Sequence, residues 1–331
     1  MHIIRSRNAH QALPEAVREL CSRGIPTASR NGEVIVHPLP VTTVFMKPQE
    51  RVIFWPERDA NPFFHLFESL WMLAGRKDVH FPGNFAKNMY KYSDEGFFLH
   101  GAYGHRWRKH FNFDQIDWAV KRLKADPWDR RVVIQMWDAN VDPQRADIDG
   151  RDVPCNTQIY VWNSNGRLNI TVTCRSNDII WGLYGSNAVH FSMLQEYMAS
   201  KLGLEMGIYY HISNNFHAYP DVFEKIRGLQ EHAQDGFSEA KKGCPYSSGN
   251  VVPYPMMDDP SKWDLDLALF MEDPGSYGFT NKFFNRVAKP LWWAHVAYKE
   301  KDIDQALELA SRVEASDWRK ATREWLMRRL K

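Results

Sequence analysis

Cys155 follows a proline and precedes an alternating run, Thr157-Gln158-Ile159-Tyr160-Val161-Trp162, which reads as a β-strand. Asn165-Gly166 is a two-residue hairpin signal, and the return strand over residues 167–174 delivers Arg175 and Ser176 at its far end. A hairpin carrying a thiol on one strand and an Arg-Ser pair on the other could set a nucleophile beside an anion site. The thiolate is the reactive form, and nearby arginines favour it. Asp178 lies two residues beyond Ser176, and Gly182-Leu183 opens a turn toward an amphipathic helix. The segment then passes Asn187 and ends at His217-Ala218-Tyr219. Taken alone, Cys155 would read as a buried core thiol.

The elements that must position these residues follow from periodicity. Residues 14–20 give a short helical pattern at an edge, and Arg30-Asn31-Gly32 is a turn before the alternating Val34 and Val36. Residues 62–74 read as a helix apolar around much of its circumference, hence buried. Glu68 sits within it, where an ionised carboxylate is costly without partners. It is either a side chain reaching the helix edge or a catalytic acid. Residues 76–102 are rich in turn signals, and Tyr103-Gly104-x-x-Trp107-Arg108 follows. A helix is predicted over 113–125 and a strand over 132–137, with Arg130-Arg131 before it pointing to opposite faces. An amphipathic helix over 188–202 stops at Gly203, a strand covers 205–212, and His217 and Tyr219 alternate onto one face. Residues 243–260 form a Pro/Gly/Ser-rich loop, and 284–299, 303–313 and 316–330 read as helices.

Arg130-Arg131, Pro154-Cys155, Arg175-Ser176-x-Asp178, Gly182-Leu183, Asn187 and His217-x-Tyr219 stand in the order and near spacing of the thymidylate synthase family, which includes the pyrimidine nucleotide hydroxymethylases. Glu68-Ser69-Leu70-Trp71 and the Tyr103 segment resemble further family motifs. The resemblance covers roughly residues 30–219. It implies an α+β fold with a mixed central sheet flanked by helices, dimerising through the sheet. A core at 1–225 would carry a helical extension at 226–331. It also implies transfer of a one-carbon unit to C5 of a pyrimidine nucleoside 5′-monophosphate, with 5,10-methylenetetrahydrofolate as cosubstrate and no metal. By the same resemblance Cys155 adds to C6, while Glu68 and Tyr103 organise water and proton transfers. Arg30, Arg175, Ser176 and the Arg130 and Arg131 of a second copy hold the phosphate. Asn187 reads the ring, His217 and Tyr219 bind ribose, and Asp178 meets the pteridine. An extra residue in Tyr184-Gly185-Ser186-Asn187 leaves Ser186 as the competing ring reader; the following helix favours Asn187.

Three features depart from the synthases. Asn156 stands where they usually have His, no tryptophan lies between Trp71 and Trp107, and the chain ends in Arg328-Arg329-Leu330-Lys331 rather than a short apolar tail. Weaker exclusion of water favours water over hydride as the last nucleophile, hence hydroxymethylation, with thymidylate synthesis from dUMP as the alternative. Uracil or cytosine, and ribose or deoxyribose, stay open. A nucleotide-binding protein that has lost catalysis is the reading from another class; a thiol and a buried acid kept in register argue against it. At 331 residues and 44% hydrophobic content the chain can bury a sizeable core. The 42 basic residues balance 40 acidic ones, against a broad nucleic-acid surface. The four cysteines lack zinc spacing, and no membrane-length apolar run or signal peptide is seen. A soluble cytoplasmic enzyme is expected.

Overall fold

The computed structural model describes residues 1–234 and 243–330. Strand β1 (His2–Ser6) leads into helix α1 (Ala9–Arg23), and β2 (Ile25–Ser29), β3 (Gly32–Val36) and β4 (Val41–Phe45) follow. Next come α2 (Pro62–Leu73), α3 (His80–Gly83), α4 (Tyr103–His105), α5 (Gln115–Ala125), β5 (Val133–Gln135) and α6 (Asp142–Asp147). The hairpin β6 (Asn156–Ser164) and β7 (Arg167–Cys174) precedes β8 (Asn177–Asp178), α7 (Ala188–Leu202), β9 (Glu205–Ser213), β10 (Phe216–Ala218) and α8 (Pro220–Ile226). Four more helices complete the described chain: α9 (Trp263–Glu272), α10 (Lys289–Lys299), α11 (Ile303–Ser311) and α12 (Ser316–Met327).

A six-stranded sheet has the order β1-β4-β9-β7-β6-β5, and a four-stranded one the order β2-β3-β10-β8. Both are mixed: β1 with β4, β7 with β9, and β8 with β10 run parallel, and the remaining pairs antiparallel. The protein is α+β, as the resemblance implied. The β6–β7 turn uses Asn165 at φ 50° and Gly166 at φ 78°, the left-handed pair a tight hairpin needs.

Helix α2 is buried from Pro62 to Leu73 except at Phe64, because its apolar residues occupy every face. The C-terminal helices pack on it: Phe63 meets Trp325 edge-on at 5.6 Å, and Phe67 meets Trp292 likewise at 5.6 Å. Three local expectations change. Residues 14–20 belong to a core helix, with Ala12, Leu13, Ala16 and Val17 fully buried. The strand expected over 132–137 is only Val133–Gln135. Helix α7 is covered on nearly all sides, not amphipathic, since α2, α5 and the large sheet enclose it.

Gly104 shows why Tyr103 is followed by glycine. A Cβ there would stand 1.9 Å from the Met72 carbonyl oxygen, so the turn carrying Tyr103 lies directly on α2. Gly104→Ala is expected to lower unfolding free energy by about 3 kcal/mol, measured by urea denaturation; an unchanged midpoint would show that the turn has slack.

Candidate active site

Cys155 is positioned by the closing of the β6–β7 ladder. The Arg175 N–H donates to the Cys155 carbonyl at 2.9 Å, and a bulge between Asn156 and Gln158 re-aims the start of β6. The Arg175 guanidinium turns back to donate to the Pro154 and Val153 carbonyls, both at 3.0 Å. Around this point opens a cavity of 670 Å³ whose lining includes Cys155, Arg175, Ser176, Asp178, Asn187, His217 and Tyr219. Arg30 reaches it from the β2–β3 turn and donates to the Gly150 carbonyl at 3.0 Å.

A second cavity of 530 Å³ adjoins the first; Tyr92, Trp181, Gly182 and Asn187 line both. Its walls include Glu68 and Tyr103, with Phe64, Met72, Phe85 and Met89 supplying apolar surface. Glu68, 5% exposed, stands 2.9 Å from His190 Nε2 across the gap between α2 and α7. The approach is close but not a hydrogen bond: among the described residues Glu68 Oε2 and both His190 nitrogens are buried without a hydrogen-bond partner. Tyr103 lies beside Cys155 and the Asn156 backbone N–H, and burial holds its phenol well above the ordinary value. The two cavities thus bring Cys155, Glu68, Tyr103, Arg30, Arg175, Ser176, Asp178, Asn187, His217 and Tyr219 together.

Arg130 and Arg131 line neither cavity of their own chain. The Arg131 side chain is 77% exposed and pairs with Asp129 at 2.8 Å. The stretch before α7, where the spacing conflict arose, is a π-helical turn, Ile179–Asn187, broken at Gly185. Such turns are frequent at functional sites, and this one places Asn187 at both cavities and Ser186 at the second alone.

Several site residues escaped the sequence reading. His190 follows no motif; its signal was only its place three residues beyond Asn187. Arg58 is buried, donates to the Ile180 carbonyl at 2.8 Å, and its guanidinium lies 4.8 Å from the centre of the Trp181 ring. Trp181 supplies an indole at the wall between the cavities, from a different element than the missing tryptophan between residues 71 and 107. Arg151 lines the first cavity. The charged C-terminus also reaches the site. Arg328 and Arg329 both donate to Asp59, at 3.0 and 2.7 Å, on the rim of the second cavity; Lys331 lies outside the described residues.

Burial governs the charges. It pushes the Cys155 thiol above its ordinary value, against the pull of Arg175 and Arg30. The expected lowering by arginines is therefore reversed in this site. Asp178 is also raised by burial, His217 is lowered by it, and Asp152 is raised to about 6. Among the described residues, His2, Glu19 and His37 bring possible metal ligands within 4.8 Å of one another. They line neither cavity, and Arg23 stands 3.5 Å from the same Glu19 oxygen.

A family model described as thymidylate synthase matches residues 49–240. The chain belongs to the thymidylate synthase family. Its relatives in that family include the deoxyuridylate hydroxymethyltransferase of Pseudomonas phage M6, 49% identical over 335 residues, covering 99% of this chain and 95% of that protein. The deoxyuridylate hydroxymethyltransferase of Bacillus phage SP01 is 39% identical over 194 residues, covering 56% of this chain and 50% of that protein. A putative thymidylate synthase of Methanothermobacter marburgensis is 34% identical over 126 residues, covering 38% and 54%. Similarity to the phage M6 protein runs through the C-terminal third, beyond the residues 30–219 where the motifs were recognised.

The raised thiol gives a direct expectation for the free protein. Alkylation of Cys155 by iodoacetamide should accelerate about tenfold per pH unit until the pH passes 9. Arg175→Ala, which removes a cation favouring thiolate, should slow the reaction further at pH 8. A rate already flat above pH 7 would contradict the dominance of burial.

Proposed function

We propose that this protein is a deoxyuridylate hydroxymethyltransferase. The observation that carries the reading is 49% identity, over nearly the whole of both chains, to a phage enzyme of that name. The paired cavities support it. The first offers a thiol, guanidinium groups and a hydroxyl, suited to a nucleoside monophosphate; the second offers an apolar wall beside the Glu68–His190 pair.

Arg30, Arg175 and Ser176, joined by Arg151 and by Arg130 and Arg131 of a second copy, bind the 5′-phosphate through charge-assisted hydrogen bonds. The second copy would pair through the half-exposed face of the large sheet, where Tyr160, Trp162 and Tyr210 stand, in a two-fold arrangement that completes both sites. His217 and Tyr219 hold the sugar, and Asn187 faces the O4 and N3 edge. Phe64, Phe85, Met89 and Trp181 would hold methylenetetrahydrofolate in the second cavity, with Asp178 at its edge. That cosubstrate supplies a one-carbon unit at the oxidation level of formaldehyde.

The Cys155 sulfur bonds to C6 of the uracil ring, and the electron pair displaced from C5=C6 makes C5 a carbon nucleophile. C5 then bonds to the carbon of the one-carbon unit. Loss of the C5 proton, which Tyr103 beside Cys155 helps to move, breaks the bond from that carbon to the folate nitrogen, with tetrahydrofolate as the leaving group. Once C5 bears an exocyclic methylene, Glu68 and His190 orient a water and take its proton as its oxygen bonds to that methylene. The electron pair returns through C5, the C5=C6 bond re-forms, and the Cys155 thiolate departs.

Incubating the protein with methylenetetrahydrofolate and dUMP, dCMP, UMP or CMP tests the reading by nucleotide mass and dihydrofolate absorbance. The expected product is 5-hydroxymethyl-dUMP without dihydrofolate. Methylated dUMP with stoichiometric dihydrofolate would make it a thymidylate synthase instead. Cys155→Ala should abolish turnover and leave dUMP affinity within about threefold, because the thiol acts on the ring and not on the phosphate.

A further inference from the structure

Behind the Asn187 carboxamide stands a file of buried polar side chains used by none of these steps. The Asn187 N–H donates to the Asn177 carboxamide oxygen at 3.1 Å. The Asn177 nitrogen meets His211 Nε2 at 2.6 Å and donates to Ser213 Oγ at 3.0 Å. His211 Nδ1 meets the Tyr209 hydroxyl at 2.5 Å, that hydroxyl's one hydrogen-bond partner among the described residues. Tyr209, His211 and Ser213 are fully buried, and Asn177 is 3% exposed. Strand alternation explains the assembly: β9 turns residues 209, 211 and 213 inward, and β8 sets Asn177 against them.

Burial pushes His211 down to about 3, so the ring is neutral, with one nitrogen donating and the other accepting. A neutral ring transmits polarity. When the Asn177 N–H donates to Nε2, Nδ1 holds the ring proton and faces the phenol oxygen. Turning the Asn187 carboxamide over would set oxygen against oxygen at Asn177. Relief would require Asn177 to turn as well, the imidazole to change tautomer, and the phenol to become the donor. The four groups therefore reset together or not at all.

Uracil presents an acceptor at O4 and a donor at N3; cytosine presents a donor at N4 and an acceptor at N3. One carboxamide meets the two bases in opposite orientations. Resting on the reading that Asn187 faces the base, we propose that Asn177, His211 and Tyr209 are positioning residues that lock the Asn187 carboxamide in the orientation that accepts uracil and refuses cytosine. None of the three needs to touch the nucleotide for this.

The test compares kcat/KM for dUMP and dCMP, with calorimetric affinities for both, in wild type, Asn177→Ala and Tyr209→Phe. Asn177→Ala cuts the file next to Asn187, and Tyr209→Phe removes one oxygen at its far end. The dUMP-to-dCMP ratio should fall about tenfold or more in Asn177→Ala, and by a smaller factor in Tyr209→Phe, with turnover or binding of dCMP rising in absolute terms. Equal losses on both nucleotides, leaving the ratio unmoved in a variant with wild-type near-UV circular dichroism, would overturn the proposal. Should Asn177→Ala fail to fold, Tyr209→Phe alone decides. A wild-type protein without activity on dUMP would overturn the underlying reading instead.

Discussion

The 2.9 Å hydrogen bond from the Arg175 N–H to the Cys155 carbonyl closes the β6–β7 ladder and sets the geometry of everything around it. It fixes Cys155 and the start of the Arg175-Ser176-Asn177-Asp178 segment in a single register. From there β8 pairs with β10, which aligns Asp178 with His217. The same segment caps the π-helical turn, whose Trp181 N–H is held by the Asp178 carboxylate at 2.6 Å. A slip of one residue in this hairpin would turn every side chain to the other face and separate the thiol from Arg175 and Ser176, with which it lines the first cavity.

Burial, more than local charge, sets the resting state of the site. Cys155 and Asp178 are pushed toward their neutral forms, and so are His211 and His217. Arg30 and Arg175 line the cavity at its open side, where both donate to backbone carbonyls and the Arg175 guanidinium also lies 5.8 Å from the centre of the Trp137 ring. Such an arrangement leaves cationic capacity free for an anionic ligand and keeps the thiol quiet without one. A bound phosphate would restrict solvent further, strengthening each electrostatic contact in the cavity.

Much of this was legible before any coordinates. The all-round apolar pattern of 62–74 gave a buried helix with Glu68 inside it, Asn165-Gly166 gave the hairpin, and Gly203 gave the end of α7 at Leu202. Residues whose roles come from tertiary proximity were not legible. His190 matters because α7 crosses α2 at Glu68, and Arg58 because a distant turn lays Trp181 over it. The spacing conflict before Asn187 was visible, but the π-helical turn that occupies this stretch was not. The charge on Cys155 was misjudged because neighbouring arginines are apparent in a sequence and desolvation is not. Helix α1 likewise looked peripheral because its many small residues conceal how deeply it packs.

The central claim is that water, admitted beside Glu68 and His190, completes the reaction at C5. Running the reaction with dUMP and methylenetetrahydrofolate in 18O-labelled water, and weighing the nucleotide product, tests it directly. The account predicts a hydroxymethyl product carrying one solvent-derived oxygen, with no dihydrofolate formed. An unlabelled methyl product accompanied by dihydrofolate would contradict it.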